Sequence, residues 1–243
     1  MFGFNSPTFL ATETLAGIVR NDTTKHKTRI DIMKIYGFLI LICGLTFCNC
    51  NNENKKSTTT DNTKEKEEIQ DLIKQVLAWA DSKNCIDLLP VVKDSNDSIY
   101  VGFDLEKHKL NLNKLKSTGL FSTEFIENYN QIILTLDKGL KNGEYEQWLV
   151  GDLPTFIFAN DINPWCLCQD NLDWWKNVEV RIISLDNEKG ELEWFWGNLS
   201  NDTDSSWKEF NYRFRVAKEN NSWKISYLEG FDFKESTRKD GQL

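Results

Sequence analysis

The residues able to do chemistry are few, and most of them crowd one segment of the chain. Asp161, Asp170 and Asp173 surround the stretch Asn163-Pro164-Trp165-Cys166-Leu167-Cys168-Gln169-Asp170. A carboxylate buried beside tryptophans loses hydration, which raises its pKa and fits it to act as a general base. Asp161 and Asp170 are the residues placed for that role. The competing reading is that they cap turns, which is the usual work of Asp in loops rich in Asn and Pro, and the composition favours it. Histidine contributes little. The chain has 2: His26 near the amino terminus and His108 within Lys107 to Ser117, a basic stretch that reads as solvated. Among the 6 cysteines, Cys85, Cys166 and Cys168 belong to the body of the chain. Three thiols without a suitably spaced histidine make an incomplete zinc set, so no metal site is expected. There is no glycine-rich phosphate loop and no nucleophile elbow, and no cofactor is expected.

Tryptophan is the other unusual residue. The chain has 9, and most lie between Trp165 and Trp223. Trp165, Trp194 and Trp196 are the candidates for lining a ligand cavity. Their alternation with Glu193 and Phe195 also suits plain core packing, and that reading is the stronger of the two.

These residues have to be placed in a compartment. Met33 and Lys34 precede an apolar run from Ile35 to Phe47, 13 residues long. That is well short of the roughly 20 residues a helix needs to cross a bilayer. A basic residue, a short apolar core and a polar continuation have the shape of a secretory signal. The ending Leu45-Thr46-Phe47-Cys48-Asn49-Cys50 resembles the lipoprotein signal of bacteria. The resemblance implies that Cys48 becomes the lipidated first residue of the mature protein. Phe47 is larger than the residue usual before that cysteine, so Cys50 is the alternative. Residues 1–32 then read as an upstream extension, 33–47 as the signal peptide and 48–64 as a disordered tether. Export to an oxidising compartment favours a disulfide. Because cysteines two apart seldom bridge each other, the expected partner of Cys85 is Cys166 or Cys168.

The net charge of −8 argues against a general nucleic-acid binder, since phosphate contacts need a basic surface. Downstream of the tether, Ile69, Leu72, Ile73, Val76, Leu77 and Ala80 form one apolar helical stripe, with Asn62 and Glu65 spaced as a capping pair. A second helix is predicted from Ser122 or Thr123, with the stripe Phe125, Tyr129, Ile132, Ile133, Leu136 and Leu140, ending at Gly143. Four segments between Val178 and Leu228 alternate with period two and are joined by polar breaks of hairpin length. The fold class is therefore α+β, with amino-terminal helices ahead of an antiparallel sheet. One domain is expected over 65–233, followed by a flexible tail at 234–243.

The order of elements, the entry of Pro164 to Asp170 into the sheet and the closing strand Ser222-Trp223-Lys224-Ile225 resemble the nuclear transport factor 2-like (cystatin-like) superfamily. In that superfamily a sheet wraps around helices to form a cone. The resemblance runs over roughly Glu65 to Phe233 and implies small exported bacterial proteins, some enzymes and many binding domains. The expectation is a membrane-tethered protein of the cell envelope whose domain binds a small molecule or an envelope protein without catalysis. The alternative is a cone-fold isomerase or hydrolase with a cavity aspartate as base. A buried aspartate on the cavity floor would favour the enzyme, and a filled cavity the binding domain.

Overall fold

The computed structural model describes residues 58–169 and 175–239, and in them the terminal meander forms. Four strands, β3 (Val178–Leu185), β4 (Lys189–Trp196), β5 (Tyr212–Glu219) and β6 (Ser222–Leu228), make one antiparallel sheet in that order. Its inner face carries Val178, Val180, Leu192, Trp194, Trp196, Tyr212, Phe214 and Val216, all buried. The opposite face carries Glu179, Arg181, Arg213 and Arg215, all exposed. In β6 the alternation predicts that Tyr227 lies inward with Trp223 and Ile225. It does not. Arg215 pairs with Tyr227 while Val216 pairs with Ile225, so Ser226 is an extra residue in the ladder. An inserted residue shifts the side-chain phase by one. Leu228 therefore faces the core, and the Arg215 guanidinium lies 4.4 Å from the centre of the Tyr227 ring on the outside.

Helix α1 (Thr58–Ala80) lays its stripe on this sheet, with Ile69, Ile73, Val76 and Leu77 at most 1% exposed. The helix begins at Thr58, so Asn62 lies within it rather than at its cap, and residues 58–64 are helical rather than part of a disordered tether. Two polar contacts fix α1 to the sheet, one at its β3 edge and one on the interior strand β5. The Gln70 side-chain amide oxygen accepts from the Val180 backbone N–H of β3 at 3.3 Å, and Lys218 of β5 reaches Glu65 at 2.7 Å. The β6 edge is covered differently: Ile225 donates to the Leu120 carbonyl and accepts from Ser122 N–H, each at 2.9 Å.

The short strands β1 (Val91–Lys93) and β2 (Tyr100–Phe103) pair with each other. Helix α2 (Leu105–Thr118) follows, capped by Asp104 and ended by Gly119 in the left-handed region. Helix α3 (Thr123–Lys141) follows in turn, capped as expected by Ser122, whose hydroxyl accepts from Phe125 N–H. Asp137 of α3 holds β2 in place. Its side chain accepts from Phe103 N–H at 2.8 Å and from Lys141 Nζ at 2.7 Å.

The stretch around His108 is a helix, and His108 is buried, contrary to its expected solvation. Asn111, three residues along, and Leu115, four further on, share its buried face, and that face turns toward α3. The carboxyl end also departs from expectation. A short helix α4 (Ser205–Glu209) precedes β5, and α5 (Phe233–Ser236) follows a single 3-10 turn, Glu229–Phe231. Tyr145 donates to the Thr237 carbonyl and Lys239 bridges Phe156, so residues 234–239 of the predicted tail belong to the domain. Among the described residues no helix is long and apolar enough to cross a membrane.

Candidate functional site

Between α1 and the sheet the space is filled. Trp165 packs edge-on against Trp79 at 5.6 Å and lies tilted against Phe231 at 4.5 Å, with Phe121 and Phe125 completing the cluster. Trp194 is stacked on Tyr212, and Trp196 lies against Trp175, at 5.5 Å each. Trp194 is wholly buried and Trp196 is 5% exposed, so both are core residues and the predicted cavity-lining role does not apply to them.

The open space is elsewhere, around the loop from Ala159 to Gln169. Two clefts flank this loop and share Leu153, Ala159, Asp161, Ile162 and Pro164 as a common wall. One, of about 500 Å³, has its other wall in Cys85 to Leu88. The second, of about 600 Å³, is closed by Leu167, Gln169 and the turn at Glu229 and Gly230. A third, larger groove of about 1110 Å³ adjoins them at Leu153 and Asn160 and continues to Glu144, Glu146 and Asp152. Leu153, Ile162 and Leu167 are 55%, 44% and 39% exposed.

The loop is held in a costly conformation. Ala159, Asp161 and Leu167 have φ of 54°, 59° and 50°. In this region Cβ crowds the following carbonyl, at roughly 1–2 kcal/mol for a residue with a side chain. Such strain persists only where surrounding structure over-determines it, and it concentrates at functional sites. The determinants here are visible. Trp165 is an anchor, 2% exposed in the aromatic core. The Tyr212 hydroxyl donates to the Pro164 carbonyl at 2.8 Å and accepts from Gly230 N–H at 3.0 Å. Gly230 is required by contact, since a β-carbon there would overlap the Pro164 carbonyl. Asn163 N–H donates to the Cys168 carbonyl at 3.0 Å, and Leu167 N–H to the Asn163 carbonyl at 2.7 Å.

This tight turn also corrects the expected disulfide. Cys166 and Cys168 bridge each other, with Cα atoms 5.2 Å apart, and Cys85 is a free thiol. The left-handed Leu167 folds the chain back so that its two neighbours meet, which an extended Cys-x-Cys segment does not allow. Cys85 lines the facing wall of the first cleft with Trp165. Burial pushes its thiol pKa up, against smaller opposing effects from the Ile86 backbone, Lys114 and the Trp165 indole.

The wall carrying Cys85 is clamped by α2 and α3. Asn111 donates to the Asp87 carbonyl at 2.7 Å, Lys107 pairs with the Asp87 carboxylate at 2.6 Å, and Tyr129 donates to the Leu88 carbonyl at 3.1 Å. His108 lies behind this clamp. Its Nε2 faces Asn130 Oδ1 at 3.0 Å, its Nδ1 is buried without a hydrogen-bond partner, and its ring meets Tyr129 edge-on at 5.2 Å. Burial holds the imidazole below its ordinary pKa, partly offset by the Asn130 contact.

The candidate bases fare unevenly. Asp161 stands exposed on the wall shared by the two clefts, with the Gln169 amide donating to it at 2.6 Å. Asp170 and Asp173, like Cys48, Cys50 and the signal and extension segments, lie outside the described residues. Among the described residues no group of three or more Cys, His, Asp and Glu is arranged to hold a metal ion. The cleft residues Leu153, Ile162 and Glu229 were not singled out by sequence reasoning. A faint signal existed for Ile162, an apolar residue isolated within Asn160-Asp161-Ile162-Asn163-Pro164, where burial by local packing is not available. Comparison of the chain with protein-family models, with curated proteins and with solved structures returns no match to any of them.

Proposed function

We propose that this chain is a lipid-anchored protein of the bacterial envelope whose α+β domain, of the nuclear transport factor 2-like kind, binds an apolar partner group without catalysis. The observation that carries the binding reading is the strained loop at Ala159 to Gln169. It displays Ile162 and Leu167 beside Leu153, between clefts of about 500 and 600 Å³, while the space between α1 and the sheet is packed solid. Strain at Ala159, Asp161 and Leu167 costs stability, and an apolar surface held out by it is what a binding role explains. Asp161 is exposed at the mouth of these clefts rather than buried on a cavity floor, so the enzyme alternative draws no support from its position.

The test is titration with Nile red, an uncharged apolar dye whose emission rises on leaving water. Saturable binding is expected. Covering a Leu or Ile side chain contributes about 1.5–3 kcal/mol. Ile162→Asp and Leu167→Asp should therefore each weaken the dye about tenfold or more, with little change in melting temperature because both side chains are exposed. Absence of saturable binding, or binding indifferent to both substitutions, would overturn the reading.

A further inference from the structure

The three adjoining clefts share more than apolar walls. Their linings carry Glu144, Glu146, Asp152, Asp161, Glu229 and Glu235, while Lys239 is the one basic residue among the described residues that line them. Asp87, on the wall facing Trp165, is paired with Lys107, and Glu235 with Arg238 at 3.0 Å. Glu229 and Asp161 are held by neutral donors, the Arg213 backbone N–H at 2.9 Å and the Gln169 amide at 2.6 Å. Such donors fix a carboxylate without cancelling its charge. Leu153, which lines all three clefts, therefore sits with Ile162 at the centre of an apolar strip bordered by negative charge.

We infer that this surface takes a cationic amphipathic polypeptide segment, one whose apolar side chains enter the two clefts while its Lys or Arg side chains meet the carboxylate border. The inference rests on the binding reading above and names its partner. Two features select a polypeptide over an anionic lipid surface. The border repels anionic headgroups, since like charges brought together oppose association. The apolar strip is divided into separate clefts by the Ala159–Pro164 wall, which suits side chains spaced along a backbone. The chain's charge of −8 attracts cations everywhere, so a test must separate the clefts from the general field.

The experiment uses the purified full-length chain and a fluorescein-labelled peptide of repeated Lys-Leu-Leu-Lys, followed by anisotropy. The controls are the Glu-Leu-Leu-Glu counterpart and vesicles of phosphatidylglycerol. Two triple variants remove equal charge: Glu146→Gln/Asp152→Asn/Asp161→Asn at the clefts, and Glu67→Gln/Asp71→Asn/Glu106→Gln on exposed positions of α1 and α2. The expected result is saturable binding of the lysine peptide that weakens at least fivefold in the cleft variant and less than twofold in the helix variant. Equal weakening in both variants would show general charge attraction and overturn the inference. So would binding of the glutamate peptide or the vesicles with comparable affinity. Site-specific Nile red binding without any preference for the lysine peptide would leave the cleft reading standing and remove this inference alone. Loss of both signals would remove both.

Discussion

His108 shows how far one side chain's position changes its chemistry. In a solvated basic helix it would titrate near 6.5 and affect nothing. In the structure it is 2% exposed, with Nδ1 unpartnered and Nε2 on Asn130. Protonating it would bury a charge and a second N–H without an acceptor, so its folded-state pKa lies below 6.5. The unfolded chain then binds the additional proton first, and stability falls as pH drops through and below the ordinary value. The urea midpoint should therefore decrease from pH 7.5 to pH 5.5. His108→Gln should flatten that slope, whatever it does to stability at pH 7.5. An unchanged slope in the variant would remove His108 as its cause. The same burial logic applies to Cys85. A thiol pushed up by desolvation carries little thiolate at neutral pH, which fits a residue that lines a cleft without being a nucleophile.

At the scale of elements, the loop from Ala159 to Gln169 owes its shape to parts far from it in sequence. Tyr212 comes from β5, Gly230 from the turn after β6, and Trp79 from α1. The Cys166–Cys168 bridge adds only a local restraint. Chain-entropy stabilisation grows with the size of the loop closed, so a bridge with a sequence separation of 2 is worth under about 2 kcal/mol. A bridge from Cys85 would close about 80 residues and contribute roughly 4 kcal/mol. Reduction should therefore lower the melting temperature only slightly, and Cys85→Ser should leave the response to reductant unchanged. A large loss on reduction that Cys85→Ser reproduces would restore the long-range bridge.

For the molecule as a whole, the proposal of an anchored domain rests on the segment from Lys34 to Cys50. Cys48→Ser should abolish metabolic labelling with a radioactive fatty acid and release the protein from the membrane fraction. Labelling that survives in Cys48→Ser and vanishes in Cys50→Ser would move the anchor to Cys50. Labelling untouched by either would remove the anchor altogether.

The sequence by itself determined the fold class, because its evidence is local and periodic. Period-two alternation in β3, β4 and β5, the stripes of α1 and α3, and the Ser122 cap all depend on residues within a turn or two of one another. It also narrowed the chemistry, since with 2 histidines in the chain acid-base work falls to carboxylates. The tertiary structure decided what depends on distant segments meeting. The Ser226 bulge reverses the outward face of β6 at Tyr227, and no alternation pattern marks it. His108 is buried because α3 and the Cys85–Leu89 loop close over a helix that looks solvated by composition. Trp194 and Trp196 became core, while Leu153, Ile162 and Leu167 became surface, because burial depends on what other elements bring to a position and not on the residue there. Cys166 found Cys168 rather than Cys85 because a strained turn, paid for by Trp165, Tyr212 and Gly230, set the geometry that a count of cysteines cannot contain.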